Sequence, residues 1–135
     1  MDCRAARLAC LVSFRSAVLL VCLQVAYAVM LTSGLLARVA PDRPIGDPYF
    51  TRMEGLVLAI MPAMICFAAG VHALTEPQRR VFSLAALVFL AVATAITLSE
   101  HGAILFLSRD PAFAGVAHVF AFEWPSVVYL LDVLA

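Results

Sequence analysis

The sequence contains no lysine: all nine of its basic residues are arginines, and nine acidic residues balance them. Charged residues make up only 13% of the chain, where a soluble domain carries about 25%. So few charges cannot furnish the polar skin that a water-soluble fold of this size needs. The even balance leaves no basic patch, which argues against nucleic acid as a partner. The short motifs of catalysis and cofactor binding are missing too. There is no CxxC pair, HExxH, HxxxH, GxGxxG, phosphate-binding loop or CxxCH, and no serine or histidine sits in a nucleophile context. Enzymatic chemistry therefore has no positive support, and no cofactor or metal is expected.

What the sequence does have is apolar length. Hydrophobic residues make up 64% of it, and the mean hydropathy is +1.02. They fall in blocks long enough to cross a hydrocarbon core of about 30 Å, which needs about 20 helical residues. The expected fold is all-α: a multi-pass transmembrane bundle of about four helices, with residues 1–135 forming one membrane domain.

The first block runs from Ser16 to Ala37, behind a basic segment over residues 1–15 that carries Arg4, Arg7 and Arg15. Ala26-Tyr27-Ala28 has the form of a signal-peptide cleavage site. The apolar run continues past it, which favours an uncleaved first helix. Residues 38–54 follow as a polar extramembrane loop with three prolines, one glycine and six charges.

The second helix is expected over Gly55–Leu74. Pro62 lies in its middle, and Gly55, Ala59, Ala63, Ala69 and Ala73 offer a ridge of small residues for close packing. Thr75 to Arg80 makes a tight turn, with Thr75 as N-cap and Pro77 in the first turn of the next helix. So short a connection makes helices two and three antiparallel neighbours.

The third helix is expected over Val81–Leu107, tilted or broken near Gly102 because its length exceeds the bilayer core. The last segment, Ala112–Ala135, contains His118, Glu123, Trp124, Pro125 and Asp132. It reads as one Pro-kinked helix, or as an interfacial stretch followed by a truncated span. Cys22 and Cys66 lie inside apolar segments, where cysteine behaves as a small hydrophobe.

Ionisable groups near a membrane are functional candidates by default. Counting residues along the helices places Glu54, Glu100, His101, His118 and Glu123 at one level. Such a set can bind a divalent metal or relay protons. The plainer alternative is that each reaches water at the interface. Glu100 and His101 diverge by about 100° on a helix, so both can face one centre only if the helix breaks at Gly102. The expected pairs are Glu100 with His118 and His101 with Glu123, while Glu54 opens its helix beside a solvated loop. Thr94, Thr97 and His101 recur at helical spacing as a polar stripe.

The leading functional expectation is a non-catalytic structural protein or a subunit of a larger membrane complex. One alternative is a small transporter or channel component with a polar path on helix three. Another is a metal- or haem-binding membrane protein using His72, His101 and His118. The expected partners are the lipid bilayer and either further copies of the chain or other membrane subunits. The all-arginine basic set and abundant alanine point to a GC-rich coding genome. The expected location is a bacterial inner membrane.

With a cytoplasmic N-terminus, five arginines fall inside and four outside, in the sense of the positive-inside rule. Span parity then predicts that residues 38–54 and the Arg109 turn share one side, opposite Arg79 and Arg80. Single cysteines placed at Arg43 and Gln78 test this with a membrane-impermeant thiol reagent. Each should label from a different side, and labelling of both from one side would contradict the topology.

Overall fold

Helix begins well before the first long apolar run. A computed structural model describes residues 3–40, 45–107 and 111–112, and in it the first helix, α1, spans Cys3–Leu36. Residues 3–15 are mostly alanine, leucine, arginine and other residues without helix-breaking tendency, and no glycine or proline interrupts the chain until Gly34. The basic segment is thus the first third of a helix about 50 Å long, rather than a separate arm.

The second helix, α2, spans Tyr49–Leu74 and starts six residues earlier than expected. Its start is set by Asp47 and Pro48. Proline suits the N-terminal boundary because it lacks the N–H that would go unsatisfied there. Asp47 accepts the backbone N–H of Thr51 at 3.2 Å and also its hydroxyl, neutralising donors of the first turn. The inter-helix loop is correspondingly shorter, and Glu54 belongs to the second turn of α2. The helix runs through Pro62 to Leu74.

Thr75 does not cap the following helix, as its position suggested. It closes α2 instead, its N–H bonding the His72 carbonyl at 3.1 Å and its hydroxyl the Val71 carbonyl at 2.8 Å. A single 3-10 turn, Pro77–Arg79, then leads into α3, Arg80–Phe106. This helix does not break at Gly102: the Leu107 N–H bonds the Ala103 carbonyl at 2.7 Å just beyond it. One glycine costs a helix about 1 kcal/mol, while each backbone group left unbonded in lipid costs several. Of the expected fourth segment, Ala112–Ala135, only Ala112 is among the described residues.

The described residues are all-helical, and all three long helices are long and apolar enough to cross a membrane. Helix α2 packs against both α1 and α3. The outward faces of α1 and α3 are apolar, with Phe14, Val21, Val25, Phe82, Phe89 and Phe106 exposed. Lipid is the solvent that such surfaces require, and the chain is an integral membrane protein by that argument.

Packing between α1 and α2 depends on two glycines, one near each end. A Cβ on Gly70 would lie 2.2 Å from the Ser13 hydroxyl and 3.1 Å from both the Ala9 carbonyl oxygen and the Ser13 nitrogen. A Cβ on Gly34 would lie 2.6 Å from the Ile45 side chain and 3.1 Å from Cβ of Tyr49. These contacts make α1 antiparallel to α2. The small-residue ridge expected on α2 is not the packing surface as a whole: Ala63 is buried, but Gly55, Ala59 and Ala69 are exposed. Close approach instead uses Gly70, with Ala9 and Ser13 opposite.

Gly70→Ala should therefore destabilise the protein by about 1–3 kcal/mol, as overpacking does. Gly55→Ala and Gly102→Ala should not, because an added Cβ meets nothing within 4 Å at either position. Unfolding of the three variants in mixed micelles, followed by circular dichroism, makes the comparison. Equal effects would show that the α1–α2 contact is looser than described.

Candidate functional site

A short turn between antiparallel helices brings together residues equally distant from it. Two such pairs carry polar contacts. Next to the turn, Nδ1 of His72 lies 2.8 Å from the Ser83 hydroxyl, which itself donates to the Arg80 carbonyl at 3.1 Å. A hydroxyl has one proton to give, so here His72 donates and Ser83 accepts. At the far end, Nδ1 of His101 lies 2.6 Å from Oε2 of Glu54. An ionised carboxylate only accepts, and towards one this imidazole nitrogen is the donor.

On α2, Glu54 and His72 are 18 residues apart, as are Ser83 and His101 on α3. That spacing is about 27 Å along each helix, close to the hydrocarbon thickness. Each contact thus sits near one rim of the membrane, and the two together fix the α2–α3 register.

Glu54 does not have the solvated position that a loop-edge residue would have. It is 6% exposed, and its partner's side chain is 13% exposed. Helix continues past the pair on both sides, five residues back to Tyr49 on α2 and five onward to Phe106 on α3. The pair is therefore one to two turns inside the helix ends.

A cavity of about 730 Å³ opens beside it, between the three helices. Glu54, Thr94, Thr97 and His101 line one part of it, and Tyr27 of α1 faces them. The polar stripe on α3 thus turns towards α2 rather than towards lipid. Much of the remaining wall is apolar and includes Met53, Met61, Met64 and Leu90.

Thr94, like Ser13, lacks the hydrogen bond that other hydroxyls make. Thr32, Thr75 and Ser99 each bond the carbonyl four residues back on their own helix, all at 2.8 Å. That is the usual way to satisfy a hydroxyl on an apolar helix. Thr94 is 6% exposed, and its hydroxyl has no hydrogen-bond partner among the described residues. A buried hydroxyl left in that state is costly.

Of the five candidate residues, the structure brings together Glu54 and His101. Glu100 is buried at 5% exposure but does not line this cavity, as its angular offset from His101 on an unbroken helix requires. His118 and Glu123 lie outside the described residues, and so do the pairs expected of them. His101 has Glu54 as a partner instead. His72 sits at the opposite rim and cannot share a centre with His101.

Among the described residues, no three of His, Cys, Asp and Glu come together as a metal site. The four cysteines are free and exposed, so Cys22 and Cys66 are not bridged. Sequence reading missed the Glu54–His101 contact because it assigned Glu54 to a loop. The signal was available, since Glu54 and His101 are equally spaced about the Pro77–Gln78 turn.

A double-mutant cycle measures this contact. Glu54→Ala, His101→Ala and the double variant should show a coupling of about 1–3 kcal/mol in mixed-micelle unfolding, the range for hydrogen bonds to charged groups. His101→Ala should be the more damaging single change, because it strands a buried carboxylate. Additive effects would mean that the two groups do not interact. No protein-family model, curated protein or solved structure matches this chain, so its function rests on these helices and this cavity.

Proposed function

We propose that the protein is a small transporter or channel component whose working element is the cavity at Glu54, His101, Thr97 and Thr94. One observation carries this reading. The polar stripe of α3 and the buried carboxylate of α2 meet in one cavity, two turns deep from His101 to Thr94. Ionisable groups inside a membrane are expensive to keep and typically mark a pathway or a binding site. A purely structural subunit, the leading expectation from sequence, gives no reason to gather a carboxylate and a polar stripe around one cavity.

In this reading the N-terminus is cytoplasmic. Ala9 packs at Gly70, which brings Arg4, Arg7 and Arg15 towards the same end as Arg79 and Arg80. That arginine-rich end faces inward. The arginine-only composition favours a bacterial inner membrane. Three helices wall the cavity without enclosing it, and further copies of the chain or other membrane subunits complete the path.

A path must be reachable from both sides. The test is Thr94→Cys in a protein whose four native cysteines are replaced by serine. A charged methanethiosulfonate reagent is attacked only by a thiolate, which displaces methanesulfinate and forms in water, not in lipid. Thr94→Cys should label when the reagent is added to either side of the membrane, while Phe89→Cys on the lipid-facing surface should not label. Labelling from neither side would identify a dry structural cavity. Labelling from one side only would identify a binding pocket without a path. Either result overturns the proposal.

A further inference from the structure

We infer that the cavity takes a lipophilic organic monocation, such as an aromatic amine or quaternary ammonium. This rests on the cavity being a ligand path and names what it accommodates. Charge, wall chemistry and depth point the same way.

The charge is set by Glu54. His101 bonds Oε2, and among the described residues the lining holds no arginine to offset that carboxylate. An anion would meet that carboxylate without compensation in a low-dielectric site. Divalent cations need several carboxylate or carbonyl ligands, and among the described residues no three of His, Cys, Asp and Glu come together. A cation that keeps its charge on a bulky apolar frame loses far less solvation on entering, since its hydration is weak.

The wall fits that frame. Met53, Met61 and Met64 lie on one face of α2 and line the cavity with Leu90 and Phe50. Methionine is flexible and polarisable, and it packs against irregular apolar shapes. Tyr27 and Phe50 add aromatic rings, which attract a cation through their faces. A sugar or another strongly hydrated neutral solute would leave its hydroxyl groups facing thioethers.

Depth supplies the third part. The lining runs from His101 to Thr94, about 10 Å along α3 towards the membrane interior. A ligand whose cationic head pairs with Glu54 has room there for its apolar body beside Thr97. The volume of about 730 Å³ lies within the range of small-molecule pockets, about 300–1,000 Å³.

The experiment uses the full chain in lipid nanodiscs, with methionine methyl groups labelled for NMR. Two probes of the same shape are titrated: benzyltrimethylammonium and its uncharged carbon isostere, neopentylbenzene. The cation should shift the Met53, Met61 and Met64 methyl signals saturably, and bind at least about tenfold more tightly than the isostere, the difference that a partly buried charge pair supplies. Glu54→Gln should abolish that preference. Ala93→Phe, which fills the cavity and leaves the carboxylate in place, should abolish the shifts.

Equal binding of both probes by the unmodified protein overturns the inference, as does absence of binding by either, and neither outcome depends on a variant folding. Two-sided labelling of Thr94→Cys together with no preference for the cation would keep the path and discard this ligand class. Absence of labelling would discard the path itself.

Discussion

The structure depends on how one carboxylate is satisfied inside an apolar bundle. Glu54 lies a full turn inside α2 at 6% exposure. An uncompensated carboxylate in such a place costs several kcal/mol. The Nδ1–H of His101 compensates it at 2.6 Å, and only one register of α2 against α3 permits that bond. Sliding either helix by one residue rotates its side chain by about 100° and separates the pair. The contact between His72 and Ser83 near the turn satisfies the same register at the other rim. Two polar contacts separated by about one hydrocarbon thickness therefore define the hairpin more sharply than its apolar surfaces, which lipid would solvate in almost any arrangement.

The third helix of the unit obeys a different constraint. Its closest packing against α2 is steric. Gly70 meets Ala9 and Ser13, and Gly34 meets Ile45 and Tyr49. Small residues permit dispersion contacts between backbones where no hydrophobic drive exists between helices. The outcome is a polar hairpin with a helix laid against it by shape. The cavity forms where Tyr27 of α1 faces the polar stripe of α3.

Much of this was legible in the sequence. The apolar blocks gave three membrane-crossing helices, and the six-residue turn from Thr75 to Arg80 gave the antiparallel hairpin. The stripe of Thr94, Thr97 and His101 followed from helical spacing alone. Helix ends were less legible, because alanine and arginine continue a helix as readily outside lipid as in it, so α1 begins at Cys3. The start of α2 was hidden by Pro48, which reads as a loop residue and here opens a helix. That single displacement moved Glu54 from a solvated margin to the centre of the site. The loose hydroxyl of Thr94 was beyond sequence reading, since nothing in the string distinguishes it from Thr32 or Ser99.

The central claim is that Glu54 and His101 are bonded within the membrane. Solid-state NMR on the protein in lipid bilayers tests it most directly, through the dipolar coupling between the Glu54 side-chain carboxyl carbon and Nδ1 of His101. Direct hydrogen-bond geometry predicts a separation of about 3.5 Å and a proton resident on Nδ1. A separation beyond about 6 Å, outside hydrogen-bond reach, would contradict the account. So would an Nδ1 that carries no proton.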